Sequence, residues 1–192
     1  MPATNAPPPF SPSRLVILDR DGVINHDSDA YIKTLDEFVV YPQAVDAIAR
    51  LTKAGYAVAV ATNQSGIARG YFPRTALEQM HARLTELVEN AGGRLVAIAY
   101  CPHGPNDDCG CRKPRPGLLY QIRDTLGLTT LAGSWMVGDS LRDLQAGEAA
   151  GACPALVRTG KGRNTEAKGE HAASTPVFND LAAFSEWLLT AT

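Results

Sequence analysis

LVILDRDGVIN, residues 15–25, is the stretch that decides the fold prediction. Its four consecutive apolar residues, Leu15–Leu18, predict a strand that is buried on both faces. The strand leads directly into two aspartates, Asp19 and Asp21. Because side chains alternate along an extended chain, these two carboxylates point the same way. Two carboxylates that face one site repel each other unless a cation lies between them.

Strand-like and helix-like patterns alternate through the rest of the chain. Apolar residues with the i, i+3, i+7 spacing of a helix face lie between short β-branched runs. This alternation predicts an α/β fold, a Rossmann-like three-layer sandwich with helices on both faces of a central parallel sheet. No insertion is long enough for a large cap domain, and the polar segment 160–175 is predicted to be a loop. The predicted strands are Leu15–Leu18, Tyr56–Ala61, Leu95–Tyr100, Trp135–Val137 and Ala155–Val157.

Length and charge narrow the class of protein. A chain of 192 residues fits one domain, and we expect a disordered, proline-rich arm at residues 1–13 followed by a single domain at 14–192. The net charge of −2 argues against a general nucleic-acid binder. No apolar run approaches the ~20 residues of a membrane helix, and the N-terminus lacks the pattern of a secretory signal. We therefore expect a cytoplasmic, monomeric protein whose partner is a small molecule.

Polar residues follow several of the predicted strands. Asp139 follows the fourth strand, Thr62 and Asn63 follow the second, and Lys113 lies beyond the third. In parallel sheets, ligands bind at the carboxyl ends of the strands, so these side chains should meet Asp19 and Asp21 there. Carboxylate oxygens with waters suit Mg²⁺, whereas the lysine, hydroxyl and amide suit an anion. A magnesium ion beside an anion site indicates a phosphate.

A cysteine- and histidine-rich segment, CPHGPNDDCGCRKPRPG, occupies residues 101–117. Three thiolates and one imidazole at Cys101, His103, Cys109 and Cys111 complete a tetrahedral set, which is typical of a structural zinc site. A disulfide and a cluster of unligated thiols remain the alternatives, although a Cys109–Cys111 bridge would close a very tight ring. A zinc loop at 101–111 would fix the direction of the two cations that follow it.

Four motifs in order carry a resemblance to the haloacid dehalogenase superfamily. They are DRDGV at 19–23, ATNQS around Thr62, RKP with Lys113, and VGDSLRD at 137–143. The resemblance implies the catalytic set Asp19, Asp21, Thr62 and Lys113. Asp19 would be the nucleophile that forms an aspartyl-phosphate, and Asp21 the general acid and base. Thr62 and Lys113 would neutralise the phosphoryl group, while Mg²⁺ would be held by Asp19, Asp139 and the backbone carbonyl of Asp21.

The zinc ligands and three further stretches resemble a narrower group, the D-glycero-D-manno-heptose 1,7-bisphosphate 7-phosphatases. These stretches are TNQSGIARGYF at 62–72, RKPRPG at 112–117 and GDSLRDLQAG at 138–147. The resemblance implies a phosphatase that removes the 7-phosphate and supplies heptose 1-phosphate for nucleotide-activated heptose and the lipopolysaccharide core. Arg112 would recognise the second phosphate. The implied substrate contacts are Arg20, Asp27, Tyr31, Asn63, Gln64, Ser65 and Arg112.

Several alternatives stay open from the sequence. Only five residues separate His103 from Cys109, a short spacing shared with the related histidinol-phosphate phosphatases. A non-catalytic, phospho-accepting signalling domain also gathers aspartates, a hydroxyl and a lysine at strand ends, although its acid pair usually lies on a later strand. Asp143 could contact the metal shell or cap the following helix. The preferred anomer of the sugar is undetermined.

Overall fold

The structure, a computed structural model, describes residues 9–191. Within that range the chain forms a short 3₁₀ helix, Pro12–Arg14, six strands and six α-helices. The strands are β1 (Leu15–Leu18), β2 (Ala57–Asn63), β3 (Ala97–Cys101), β4 (Trp135–Gly138), β5 (Cys153–Val157) and β6 (Val177–Phe178). The helices are α1 (Pro42–Lys53), α2 (Arg74–Asn90), α3 (Gly117–Thr125), α4 (Leu141–Ala149), α5 (Gly162–Lys168) and α6 (Leu181–Thr190).

The strands form one parallel sheet in the order β3-β2-β1-β4-β5-β6. The chain builds outward from β1 through β2 to β3, then returns to the other side of β1 with β4. The order therefore reverses between β1 and β4, and a crevice for ligands opens at the carboxyl ends of such a pair. Asp19 follows β1 and Asp139 follows β4. The two aspartates thus lie where parallel sheets bind their ligands.

The side chains of β1 alternate between two hydrophobic cores. Val16 and Leu18 pack with residues of α1, α2 and α6, while Leu15 and Ile17 pack on the opposite face with residues of α3 and α4. All four are fully buried. This alternation is why the strand is apolar throughout, and it confirms the predicted three-layer α/β sandwich.

Two elements differ from the sequence-based prediction. The segment predicted as a loop at 160–175 contains α5, which ends at Gly169 in the left-handed conformation. Its helix-forming residues carry no apolar stripe, so periodicity could not identify it. The two-residue strand β6 is too short to leave a pattern. Residues 1–8 of the disordered arm predicted at 1–13 lie outside the described residues, and the short 3₁₀ helix Pro12–Arg14 begins within the rest of it. No helix of residues 9–191 has the length and apolar character needed to cross a bilayer.

Candidate active site

A cavity of about 350 Å³ lies at the carboxyl ends of β1, β2 and β4. Its walls bring together residues from five separate stretches of the chain. Those predicted from the sequence that line it are Asp19, Asp21, Asp27, Tyr31, Thr62, Asn63, Gln64, Ser65, Arg112, Lys113 and Asp139. Within the described range no inserted domain covers this cavity, as the sequence predicted.

Asp19 occupies the floor of the cavity and is bound to Lys113. Lys113 Nζ donates to Asp19 Oδ1 at 2.8 Å and to the backbone carbonyl of Ala61 at 2.7 Å. Burial, and then the negative charge of Asp143, raise the pKa of Asp19 to about 7, although Lys113 partly offsets both. Lys113 thus holds the Asp19 carboxylate in one orientation. The negative charges near Asp19 exceed the single positive charge of Lys113.

Asp143 caps the following helix, one of the two roles that the sequence left open, and it also contacts Lys113. Its Oδ1 lies 2.7 Å from Lys113 Nζ, inside the site. Its Oδ2 accepts hydrogen bonds from the backbone N–H of Ser140 at 3.1 Å and from the Ser140 hydroxyl at 2.8 Å, which caps α4. One buried carboxylate therefore fixes the start of the helix and the position of the lysine.

Asp139 completes a group of three acids. One oxygen each of Asp19, Asp139 and Asp143 lies within 4.8 Å of the others. Burial, followed by the charges of Asp19 and Asp143, raises the pKa of Asp139 well above its usual value. The backbone N–H of Lys161 donates to Asp139 Oδ2 at 2.8 Å, and Thr165 Oγ1 donates to its backbone carbonyl at 2.7 Å. This set of crowded, hard oxygen donors fits a divalent cation.

The structure corrects the prediction that Arg20 contacts substrate. The side chain of Arg20 is fully buried and its Nε and Nη2 both donate to Asp21 Oδ1, at 2.9 and 2.8 Å. Burial raises the pKa of Asp21, but the Arg20 charge and the hydrogen bonds from Asn25, Arg20 and Gln64 outweigh it and lower the pKa. Arg20 follows β1, and because neighbouring side chains of an extended segment face opposite ways, its side chain lies beneath the site.

The polar side chains at and just after the end of β2 are largely occupied by contacts within the protein. Asn63 Nδ2 donates to the backbone carbonyl of Lys113 at 3.1 Å, and its Oδ1 accepts from the Lys113 N–H at 3.0 Å. Gln64 Nε2 donates to Asp21 Oδ2 at 3.0 Å and to Thr62 Oγ1 at 2.9 Å. Asn63 therefore joins the exit of the 101–111 loop to the sheet. Gln64 links Asp21 to Thr62. Ser65 is buried in the cavity wall.

The four predicted zinc ligands form one cluster. The sulfur of Cys101 lies 3.6 Å from that of Cys109 and 3.2 Å from that of Cys111. His103 Nδ1 lies 3.5 Å from the Cys101 sulfur and 3.3 Å from the Cys111 sulfur. Metal–sulfur bonds of ~2.3 Å in a tetrahedron imply sulfur–sulfur separations of about 3.8 Å. The cluster thus has nearly the dimensions of a tetrahedral metal site, and all four cysteines are free of disulfides.

Comparison with known proteins places this site in a family. Residues 110–184 match the family model described as HAD-hydrolase-like. The chain is 58% identical over 176 residues to the D-glycero-beta-D-manno-heptose-1,7-bisphosphate 7-phosphatase of Pseudomonas putida, covering 92% of this chain and 99% of that protein. It is 42% identical to the enzyme of the same name from Escherichia coli, covering 87% of this chain and 89% of that protein.

The chain belongs to the heptose bisphosphate phosphatase family. The structure also resembles the crystal structure of the D,D-heptose 1,7-bisphosphate phosphatase from B. bronchiseptica, which is complexed with magnesium and phosphate. The TM-score is 0.90 at 50% sequence identity, with 93% of this chain and 99% of that chain covered. The fold, including the sheet that positions the site, is therefore the fold of this family.

The mouth of the cavity adds cations that the sequence analysis missed. Arg69 and Arg142 join Arg112 in lining it, and no ion pair joins any of the three to an acid within residues 9–191. Burial, followed by the charge of Arg142, lowers the pKa of Arg112. These three guanidinium groups, which have no acidic partner within residues 9–191, form a positively charged surface that suits a dianion.

Lys161 is a further missed residue at this mouth. Its ammonium lies 3.5 Å from Asp27 Oδ2 and 3.8 Å from Asp29 Oδ1. Tyr31, which has a positive φ of 67°, contacts the Tyr71 ring at 5.1 Å between centroids on the same rim. Lys161 follows β5, so the strand-end rule that found Asp139 could also have found it.

Proposed function

We propose that this protein is a Mg²⁺-dependent phosphatase that removes the 7-phosphate of D-glycero-β-D-manno-heptose 1,7-bisphosphate and leaves heptose 1-phosphate. The observation that carries the proposal is Asp19, held by Lys113 beside Asp21 and Asp139, in a chain of this family. The β anomer comes from the names of the relatives. Family membership also favours a hydrolase over the signalling-domain alternative.

Mg²⁺ would be held by Asp19, Asp139 and the backbone carbonyl of Asp21. The close approach of buried carboxylates that Lys113 only partly neutralises supports a divalent cation here, and oxygen donors favour magnesium. The related B. bronchiseptica structure is complexed with magnesium, which also supports this choice of ion. When bound, the ion would supply positive charge to the phosphoryl group during transfer.

The residues of the chain then divide the reaction into two steps. An oxygen of Asp19 attacks phosphorus and the bond from phosphorus to the C7 oxygen breaks. Asp21, which the negative charge of the bound phosphate ester favours in its protonated form, gives its proton to the departing alkoxide. Asp21 next takes a proton from water, which attacks the aspartyl-phosphate and releases inorganic phosphate with Asp19 restored. Thr62 and Lys113 stabilise charge on the phosphoryl group in both steps.

A substrate panel tests the proposed function. Phosphate release should depend on Mg²⁺ and be fastest with the β anomer of heptose 1,7-bisphosphate, compared with the α anomer, heptose 7-phosphate and histidinol phosphate. Histidinol phosphate is included because of the five-residue spacing between His103 and Cys109, which favours that alternative. Faster turnover of histidinol phosphate than of either bisphosphate would overturn the proposed substrate.

Substitution Arg112→Gln tests recognition of the second phosphate. We expect KM for the bisphosphate to rise about 10- to 100-fold with kcat nearly unchanged, because hydrogen bonds to charged groups contribute about 1.5–3 kcal/mol. KM for heptose 7-phosphate, which lacks the second phosphate, should stay the same. Arg83→Gln, which removes an exposed arginine paired with Glu86, is the matched control. An equal loss for both substrates would contradict the assignment.

We also propose that the cluster of Cys101, His103, Cys109 and Cys111 binds a structural zinc ion. The support is the near-tetrahedral spacing of the four donor atoms and their chemistry. A closed set of four protein ligands leaves no position for substrate, so the zinc would act by fixing the 101–111 loop. Asn63 then joins that loop to the sheet at Lys113.

Cys109→Ser tests the zinc proposal. Zinc content measured on the purified protein should fall from about one per chain to near zero. The value of kcat/KM should fall about 100-fold, since misplacement of catalytic groups by about 1 Å can cost that much. Cys153→Ser, which changes an exposed free cysteine outside the cluster, should alter neither value. Unchanged zinc content in Cys109→Ser would refute the ligand assignment.

Three broader predictions from the sequence remain proposals. They are a supply of heptose 1-phosphate toward nucleotide-activated heptose and the lipopolysaccharide core, a cytoplasmic location, and a monomeric state. The single domain at 14–192 is also proposed. Cell fractionation tests the cytoplasmic location, and sedimentation analysis tests the monomeric state.

A further inference from the structure

A buried arginine lies directly behind the proposed acid and base. Arg20 is fully buried, and Nε and Nη2 both point at Asp21 Oδ1. Its third nitrogen, Nη1, lies 3.3 Å from His81 Nε2 and 3.8 Å from the Met80 sulfur, both on α2. The guanidinium carbon lies 5.1 Å from the centre of the Phe38 ring. Because each nitrogen already has a partner, Arg20 is fixed in place and turned away from the cavity.

His81 is suited to accept a hydrogen bond from this arginine. Burial, followed by the charge of Arg20, lowers the pKa of His81 to about 3. The imidazole is therefore neutral at neutral pH, and its Nε2 can accept the proton of Arg20 Nη1 rather than repel the guanidinium. Helix α2 thus holds Arg20 from behind.

The two oxygens of Asp21 have different surroundings. Oδ1 receives two hydrogen bonds from Arg20 and a third from Asn25 Nδ2 at 2.8 Å. Among residues 9–191, Oδ2 receives one hydrogen bond, from Gln64 Nε2 at 3.0 Å. An oxygen surrounded by three donors has no room for a proton of its own, whereas Oδ2 keeps an accepting direction.

We propose that Arg20 is a positioning residue that holds Asp21 so that Oδ2 alone carries the proton in both steps. The inference rests on the proposed aspartyl-phosphate reaction. In the first step Oδ2–H gives its proton to the departing oxygen as the phosphorus–oxygen bond breaks. In the second step Oδ2 takes a proton from the water that attacks the aspartyl-phosphate. Arg20 touches neither substrate nor phosphate.

The leaving group separates a positioning role from a structural one. A sugar alkoxide needs a proton in order to leave, whereas p-nitrophenolate departs without one. If Arg20 is lost and Asp21 turns, phosphorylation of Asp19 by p-nitrophenyl phosphate should proceed at nearly its normal rate. Hydrolysis of the aspartyl-phosphate should still be slow, because that step needs a base whichever substrate supplied the phosphate.

The experiment compares Arg20→Met and Arg20→Lys with the unmodified chain by rapid-mixing kinetics in the presence of Mg²⁺. With p-nitrophenyl phosphate, Arg20→Met should give a burst of nitrophenolate close to one per active site, followed by slow turnover. With heptose 1,7-bisphosphate it should be slowed about 100-fold or more in kcat without a burst. Arg20→Lys, which keeps the charge but loses one of the two bonds to Oδ1, should show the same pattern with smaller losses.

Controls make each outcome decisive. Asp21→Asn should reproduce the burst, and Arg50→Met, which removes an arginine bonded to Ser185 between α1 and α6, should behave like the unmodified chain. Equal losses on both substrates without a burst, in variants that retain the circular dichroism of the unmodified chain, would overturn the inference. If Arg20→Met does not fold, the same criterion applies to Arg20→Lys. Failure of the unmodified chain to hydrolyse the bisphosphate would instead refute the proposed function.

Discussion

Asp19→Asn is expected to abolish phosphatase activity while leaving the protein folded. The amide cannot form the aspartyl-phosphate, so kcat/KM for the bisphosphate should fall by about 10⁴-fold or more, the scale seen when a nucleophile is removed. The thermal midpoint should stay the same or rise. Burial and Asp143 raise the pKa of Asp19 to about 7, which means that its charged form is disfavoured in the fold. A neutral amide at position 19 removes this unfavourable buried charge.

The matched control for this prediction is Asp46→Asn, which makes the same chemical change on the exposed face of α1. It should leave both activity and thermal midpoint unchanged. Steady-state phosphate release and circular dichroism on the three proteins are sufficient. Retention of substantial activity in Asp19→Asn would contradict the nucleophile assignment, because an amide at position 19 cannot form the aspartyl-phosphate.

Lys113→Met is expected to reduce both stability and activity. Lys113 is only 2% exposed and lies 2.8 Å from Asp19 and 2.7 Å from Asp143. Removing the lysine leaves two buried carboxylates unpaired, which costs about 3–5 kcal/mol. The loss of the cation from the phosphoryl site should lower kcat by about 10²- to 10³-fold. Chemical denaturation and steady-state kinetics measure the two effects separately.

Two comparisons check the origin of this loss. Lys53→Met removes an exposed lysine at the end of α1 and should change neither quantity. A second substitution, Asp143→Asn in the Lys113→Met background, should recover part of the stability because it removes one of the unpaired charges. Wild-type stability in Lys113→Met would show that the buried carboxylates do not need the lysine, contrary to the geometry described above.

The sequence predicted the parts of the site that depend on strand ends. Asp19, Thr62, Lys113 and Asp139 were grouped correctly because parallel strands deliver their carboxyl ends to one edge of the sheet. The same alternation that paired Asp19 with Asp21 should also have turned Arg20 away from the cavity. The substrate contact predicted at Arg20 came from the family resemblance, which carried no information about the direction of this side chain.

Other features depend on contacts that no local pattern encodes. Asn63 bonds the backbone of Lys113, fifty positions away in the chain, and Asp143 serves a helix and the site at once. Helix α5 is polar. It helps to hold Asp139 in place through hydrogen bonds from Lys161, just before the helix, and from Thr165. Each of these depends on the packed arrangement of distant segments, which becomes visible only in the folded chain.

The most direct test of the account is chemical trapping of the phosphorylated enzyme. The protein is mixed with excess substrate and Mg²⁺, quenched, and treated with borohydride, which reduces an aspartyl-phosphate to homoserine. Peptide mass spectrometry should find homoserine at position 19 in the unmodified chain, with more of it in Asp21→Asn, where hydrolysis is slowed. Reduction at a different residue, or turnover of substrate with position 19 unmodified in both proteins, would contradict covalent catalysis by Asp19.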